Sequence, residues 1–224
     1  MSFDLVIFDC DGVLVDSEVI SCRCLIETLQ GYGIETTPEE VFDTFLGRTT
    51  RSIAEHYRDA GQAVPDDFPL ELRTRIRQAF AAELQPIDDI ESVLSRLAAA
   101  YCVASSSDLD RVDFSLAQTG LSNRFSGRIF TAQLVANGKP APDLFLYAAA
   151  QMGAAPARTL VIEDSISGVQ AAKAAGMTVW GFVGGSHYLS RDGRALLTEA
   201  GADRVFERMA DFRHSSDGQL NGRA

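Results

Sequence analysis

The chain has 224 residues, with 46% hydrophobic and 23% charged residues, the composition of a globular protein large enough for one sizeable core or a core with a modest insertion. Its formal net charge of −11 argues against a nucleic-acid backbone or an anionic membrane surface as partner. No segment has the apolar length of a membrane span, and the N-terminus lacks the basic start and apolar stretch of a signal peptide, so the expectation is a cytoplasmic protein.

The first chemical feature follows the apolar run Leu5-Val6-Ile7. That run reads as a buried strand, and it leads into Phe8-Asp9-Cys10-Asp11-Gly12. Side chains alternate along an extended chain, so Asp9 and Asp11 face one side and Cys10 the other. Two carboxylates aimed at one spot need a cation or a proton between them. Gly12 allows a sharp turn and a close approach of backbone to whatever is bound there. Taken alone, the four residues are equally well read as an acidic turn that closes a strand.

Ser17 or Asp16 is placed to cap a helix running to about Tyr32, where Gly31 and Gly33 break it. From there to Pro86 only helical patterns occur. Thr37-Pro38-Glu39-Glu40 is a cap with proline at the first helical position, leading into Val41, Phe42, Phe45 and Leu46. Gly47-Arg48-Thr49-Thr50 punctuates, a helix from about Arg51 to Ala60 follows, and Pro65 to Pro69 reads as a loop. Leu72, Ile76, Phe80 and Leu84 then form one stripe. Residues 16–85 are therefore expected to be an all-helical insert.

Beyond Pro86 short strands and helices alternate. Tyr101 to Ala104 is a strand ending in Ser105-Ser106-Ser107, with Asp108 as a helix cap; Arg128 to Thr131 is the next strand, and Pro142 opens a helix. Thr159 to Ile162 is a strand that again runs into acid, Glu163-Asp164, before a helix capped by Ser165. Strands at Val179 to Phe182 and at Val205-Phe206 close the pattern, and 214–224 reads as a disordered tail. Such alternation implies an α/β fold with a parallel, Rossmann-like sheet, formed by residues 1–15 and 86–213, and a ligand crevice at the carboxyl ends of its strands. Asp9, Asp11, Ser105, Glu163 and Asp164 all fall at such ends.

Asp9-Cys10-Asp11-Gly12-Val13, Ser105 after its strand, Gly138-Lys139-Pro140-Ala141-Pro142-Asp143 and Glu163-Asp164-Ser165 resemble, in order, the four motifs of the haloacid dehalogenase-like hydrolase superfamily. The helical insert resembles the cap of its β-phosphoglucomutase-like phosphatases. The resemblance implies an Mg2+-dependent phosphatase acting on a small phosphorylated metabolite, a sugar phosphate, with Asp9 as nucleophile and an aspartyl-phosphate intermediate. It implies Asp11 as general acid and base, and Asp9, the Asp11 backbone carbonyl and Asp164 as metal ligands, with Glu163 ligating the metal or holding a metal-bound water.

Gly12, Ser105, Ser106 and Lys139 would hold the phosphate, Lys139 also neutralising Asp9, while Gly47 and Arg48 of the cap would touch substrate. Asp11 speaks against dehalogenation, because the dehalogenases of similar fold lack that second carboxylate. A β-phosphoglucomutase-type isomerase is the alternative. The mutases carry His where Ser21 stands and Arg near Thr50, which favours the phosphatase. A non-catalytic binding or regulatory protein is a further alternative that no residue favours.

Gly168, inside a helix, suggests close packing near the site. Cys10, Cys22, Cys24 and Cys102 read as reduced, mostly buried thiols. His56, His187 and His214 show no paired spacing and are given no part in the chemistry.

Overall fold

The computed structural model describes residues 3–212; the expected tail at 214–224 lies outside them. Strand β1 (Leu5–Phe8) is buried on both faces, and its side chains divide by parity. Leu5 and Ile7 pack with Cys102, Ala104, Val161 and Val179, whereas Val6 and Phe8 pack with Val103, Leu160, Ile162 and Phe182. This two-faced burial is what a central parallel strand requires.

Its neighbours are β2 (Ala100–Ser105) and β4 (Thr159–Glu163); β3 (Ile129–Thr131) lies outside β2, and β5 (Thr178–Phe182) then β6 (Arg204–Phe206) outside β4. The six strands are all parallel in the order β3-β2-β1-β4-β5-β6. Phe8 pairs with both Val103 and Ile162, so Asp9, Ala104 and Glu163 stand level at the carboxyl edge. The order changes direction at β1, which puts the crevice of the sheet directly above Asp9.

Four helices lie between β1 and Gln85: α1 (Glu18–Gln30), α2 (Pro38–Phe45), α3 (Thr50–Asp59) and α4 (Phe68–Glu83). The chain leaves and re-enters the α/β part along a two-stranded ribbon. Asp16 N–H donates to the Gln85 carbonyl at 2.9 Å, and Ile87 N–H to the Leu14 carbonyl at 3.0 Å. Thr37 and Glu40 cap α2 reciprocally, as their spacing predicts. Leu72, Ile76 and Phe80 are buried along α4, which starts at Phe68 rather than beyond Pro69, because proline is at ease in a first helical turn. Ser17 precedes α1 but its hydroxyl does not cap the helix; it donates to Asp11 instead.

After the ribbon come α5 (Ile90–Arg96), α6 (Leu109–Gln118), α7 (Ser122–Phe125), α8 (Asp143–Gln151), α9 (Ile166–Ala174) and α10 (Gly193–Glu199). Asp108 and Ser165 cap α6 and α9 through their side chains. The apolar cluster on the Phe8 face runs without a break into Leu25, Leu29, Phe68, Leu72 and Phe80, so helices α1 and α4 share a core with the sheet. Among the described residues no helix is long and apolar enough to cross a membrane.

All four cysteines are free and buried, and burial pushes the Cys22 thiol up to about 11 and the Cys102 thiol up to about 12. A thiol-specific reagent at neutral pH is therefore expected to leave the native protein untouched over minutes and to label all four positions once guanidinium is added.

Candidate active site

At the level edge of β1, β2 and β4 the chain gathers four carboxylates and one lysine. Lys139 Nζ donates to Asp9 Oδ1 at 2.5 Å, to Glu163 Oε1 at 2.6 Å and to the Ala104 carbonyl at 3.0 Å. All three ammonium protons are thereby used, and the side chain is 2% exposed. Glu163 is fully buried, and its second oxygen accepts from both the N–H and the hydroxyl of Ser165 at 2.9 Å. With both oxygens engaged, Glu163 does not line the cavity. In this arrangement Glu163 holds Lys139 and Ser165.

Gly168 explains how this fits. A Cβ there would lie 1.8 Å from Glu163 Oε1, so the helix α9 needs glycine where it crosses that carboxylate. Gly12, expected near phosphate, is likewise a spacer. It has φ +73°, and a Cβ would lie 1.9 Å from Asp164 Oδ2.

Asp11 points into a different nest of donors. Its Oδ1 accepts from Ser17 at 2.9 Å and from Arg111 Nη2 at 2.6 Å and Nε at 3.2 Å; its Oδ2 accepts from Ser107 at 2.7 Å. Arg111 reaches across from α6, also donates to Ser21, and lies over the Phe80 ring. Burial works to raise the Asp11 carboxyl, but the guanidinium and the hydroxyl donors outweigh it and hold the group below the usual carboxylate range. Arg111 belongs to no motif noticed in the sequence. Its one signal is a basic residue three positions beyond the cap Asp108, in the helix that follows Ser105.

Asp164 is 3% exposed, and its Oδ2 accepts no hydrogen bond although His187 Nε2 lies 3.2 Å away. His187, assigned no chemistry from sequence, is buried against Asp164 and Gly12. Desolvation holds its imidazole below the ordinary histidine range. The signal that could have found it is Gly184-Gly185, since a Cβ on Gly185 would sit 2.8 Å from that ring. Asp9 and Asp164 are both pushed well above the usual range, first by burial and then by neighbouring carboxylates, with Lys139 opposing.

Asp9, Asp11, Arg111, Lys139 and Asp164 line one cavity of about 450 Å3 together with Ser105, Ser106, Ser107, Glu18 and residues of the helical stretch. Ser105 accepts from the Ser107 N–H through its hydroxyl oxygen, which leaves its own proton to donate. Gly47 and Arg48 both line the cavity; Gly47 has φ +75°, and a Cβ there would come within 3.2 Å of the Ser167 hydroxyl. Glu18, at the start of α1, is pushed up to about 8 by burial and by the charges of Asp11 and Asp164.

The donor set suits a hard divalent cation. The orphaned, buried Asp164 oxygen and the crowding of Asp9 with Asp164 leave negative charge that Lys139 alone does not balance. Among the described residues no three acidic, histidine or cysteine side chains meet at a point. Two carboxylates with further oxygens from backbone, water or phosphate are, however, the usual Mg2+ complement.

Comparison with known proteins assigns this parallel sheet and its acidic edge to a family. The chain belongs to the haloacid dehalogenase-like hydrolase family, whose model matches residues 6–182. It is 31% identical over 189 residues to 6-phosphogluconate phosphatase of Escherichia coli K12, covering 82% of this chain and 84% of that one. Among solved structures, a conserved haloacid dehalogenase-like protein of unknown function from Agrobacterium tumefaciens C58 is 38% identical, with a TM-score of 0.81 over 93% of this chain and 95% of the other. A hydrolase of the same family from Deinococcus radiodurans R1, solved with bound phosphate and sodium, is 33% identical, with a TM-score of 0.74 and 93% of each chain covered. The protein is an enzyme of the phosphoric monoester hydrolase class.

Two outcomes follow from the geometry. Gly168→Ala should force Glu163 and Lys139 to shift, costing about 1–3 kcal/mol in denaturant unfolding and about a hundredfold in phosphate release. The second concerns pH. Asp9 and Asp164 are raised above 3.8 and Glu18 above 4.5, so the folded chain holds protons that the unfolded chain has released. Their stabilisation is complete below the unfolded values and lost as pH rises through the folded ones; Asp11, being lowered, acts with opposite sign only below about pH 4, and His187, lowered by burial, opposes the three raised carboxyls as a single group below its ordinary value. The cation-free protein should therefore melt at lower temperature at about pH 8 than at about pH 5, and Mg2+ should restore the difference. A flat profile indifferent to Mg2+ would remove the case for a cation site.

Proposed function

We propose that the protein is an Mg2+-dependent phosphatase that hydrolyses a small sugar phosphate through a phosphorylated Asp9. The observation that supports this most directly is the convergence of Asp9, Lys139, Ser105 and Asp164 at one end of the cavity. Asp9, Asp164 and the Asp11 backbone carbonyl would hold Mg2+, which would supply positive charge for the phosphate oxygens and the surplus carboxylates.

Lys139 ties Asp9 Oδ1, which leaves Oδ2 as the oxygen to attack phosphorus. The Ser105 hydroxyl donates to a phosphate oxygen. Asp11, held ionised by Arg111, Ser17 and Ser107, is ready as a base for the water that cleaves the intermediate. To protonate the leaving oxygen it must first release part of that nest. Helices α1–α4 act as the cap, and the residues from Gly47 to Arg51 close the cavity from bulk water. Free, buried thiols fit a cytoplasmic setting.

Asp9→Asn should abolish phosphate release, by more than about a thousandfold, while circular dichroism and thermal unfolding report an intact fold. Asp164→Ala should lower activity and Mg2+ affinity together. Undiminished turnover of the Asp9→Asn variant, or activity that persists in excess chelator, would overturn the mechanism.

A further inference from the structure

The described part of this acidic chain leaves almost no cation idle. Arginines 23, 51, 58, 75, 124, 158, 191, 194 and 208 are paired with carboxylates. Arg111 holds Asp11, Arg96 donates to a backbone carbonyl, and Arg77, Arg128 and Arg204 lie over aromatic rings. Arg48 and Arg73 are the exceptions. Among the described residues neither guanidinium has a hydrogen bond, an ion pair or a ring contact. Both side chains line the candidate active-site cavity.

Their setting is one-sided. Arg48 follows α2 and Arg73 lies in α4, so both belong to the helical wall. The carboxylates lining the same cavity are Asp9, Asp11, Asp108 and Asp164 from the sheet side and Glu18 at the entry to α1. The cavity thus has a phosphate-handling floor and a wall bearing unpaired guanidiniums. Both residues are exposed, and two unpaired guanidiniums on one cavity wall, in a chain with 31 acidic and 20 basic residues, are free to meet an anion that enters the cavity. A guanidinium matches the two oxygens of a carboxylate or phosphate, whereas a neutral polyol would use its donors singly.

We propose that Arg48 and Arg73 form a subsite for a second oxyanion on the substrate. The preferred substrates are then sugar phosphates whose end remote from the transferred phosphate carries a carboxylate or another phosphate. This rests on the phosphatase reading and narrows it. The two guanidiniums contribute mainly to binding, so their effect falls on KM and on the ratio between charged and neutral substrates.

The test measures kcat and KM for 6-phosphogluconate, fructose 1,6-bisphosphate and sorbitol 6-phosphate, with p-nitrophenyl phosphate as a general ester, in wild type, R48Q, R73Q and R73K. The wild type should favour at least one doubly anionic compound over sorbitol 6-phosphate by about ten- to hundredfold in kcat/KM, the range for a charge-assisted hydrogen bond. Each Gln variant should lose most of that ratio through KM, and R73K should keep part of it. A preference for the acid alone or for the bisphosphate alone would identify the oxyanion and support the subsite. Ratios near one in the wild type, or ratios unchanged in both Gln variants, would overturn it. Failure of the wild type to hydrolyse any compound, p-nitrophenyl phosphate included, would instead overturn the hydrolase assignment and the subsite with it.

Discussion

A single buried ammonium organises this molecule. Lys139 sits between Asp9 and Glu163 at the edge of three strands, and each carboxylate is tolerable in the interior only because the lysine is there. The lysine in turn is ionised in a dry place because two anions face it, which holds its pKa above the ordinary lysine value against the pull of burial. Neither half is stable alone. The strand register that brings Asp9, Ala104 and Glu163 level is therefore a condition of the charge cluster as well as of the sheet. The glycine in α9 is a further condition, since any side chain there would strike Glu163.

Charge is divided in the site by the same logic. Glu163 and Asp11 are compensated by the protein itself, the first by Lys139 and Ser165, the second by Arg111 and two hydroxyls. Asp9 and Asp164 are compensated in part or not at all, and both are pushed upward. An unbalanced carboxylate pair next to a hydroxyl with a free proton is a site prepared for something cationic and something anionic together, as a metal–phosphate pair would be. Internal cations stand where a carboxylate must stay fixed, and are withheld where a ligand must enter.

Much of this was legible in the chain because it is local. Leu5-Val6-Ile7 and Leu160-Val161-Ile162 announce buried strands, and the acids that follow can only stand at a strand's mouth. The helical stretch between Val15 and Pro86 showed itself by period, and Gly168 by its cost inside a helix. What stayed hidden depends on tertiary placement. Ser17 has the form of a helix cap, yet its hydroxyl stabilises the buried Asp11 more than it would exposed amides. Arg111 looks like any helical arginine until α6 docks beside β1. Glu163 and Asp164 are adjacent letters, but strand alternation sends one inward to Lys139 and leaves the other toward the cavity, a difference that depends on where the strand ends. The order of strands across the sheet had no signature in the sequence at all.

The helical stretch is tied to the sheet in two ways that differ physically. One is apolar, the unbroken cluster from Phe8 through Leu25 and Leu29 to Phe68 and Phe80, which is non-directional and survives small displacements. The other is polar and directional: Arg191 to Asp43, the Ser186 hydroxyl and N–H to Asp16, and Arg111 to Ser21. A wall held mainly by apolar contact can tilt without losing its core, while each polar tie has a definite broken state. The Arg111–Ser21 tie lines the candidate cavity, the Asp16 tie lies at the connecting ribbon, and the Arg191–Asp43 tie lies away from both; Arg111 joins the first of them to Asp11. One guanidinium thus joins the helical wall, through Ser21, to the carboxylate it compensates at the sheet edge, Asp11.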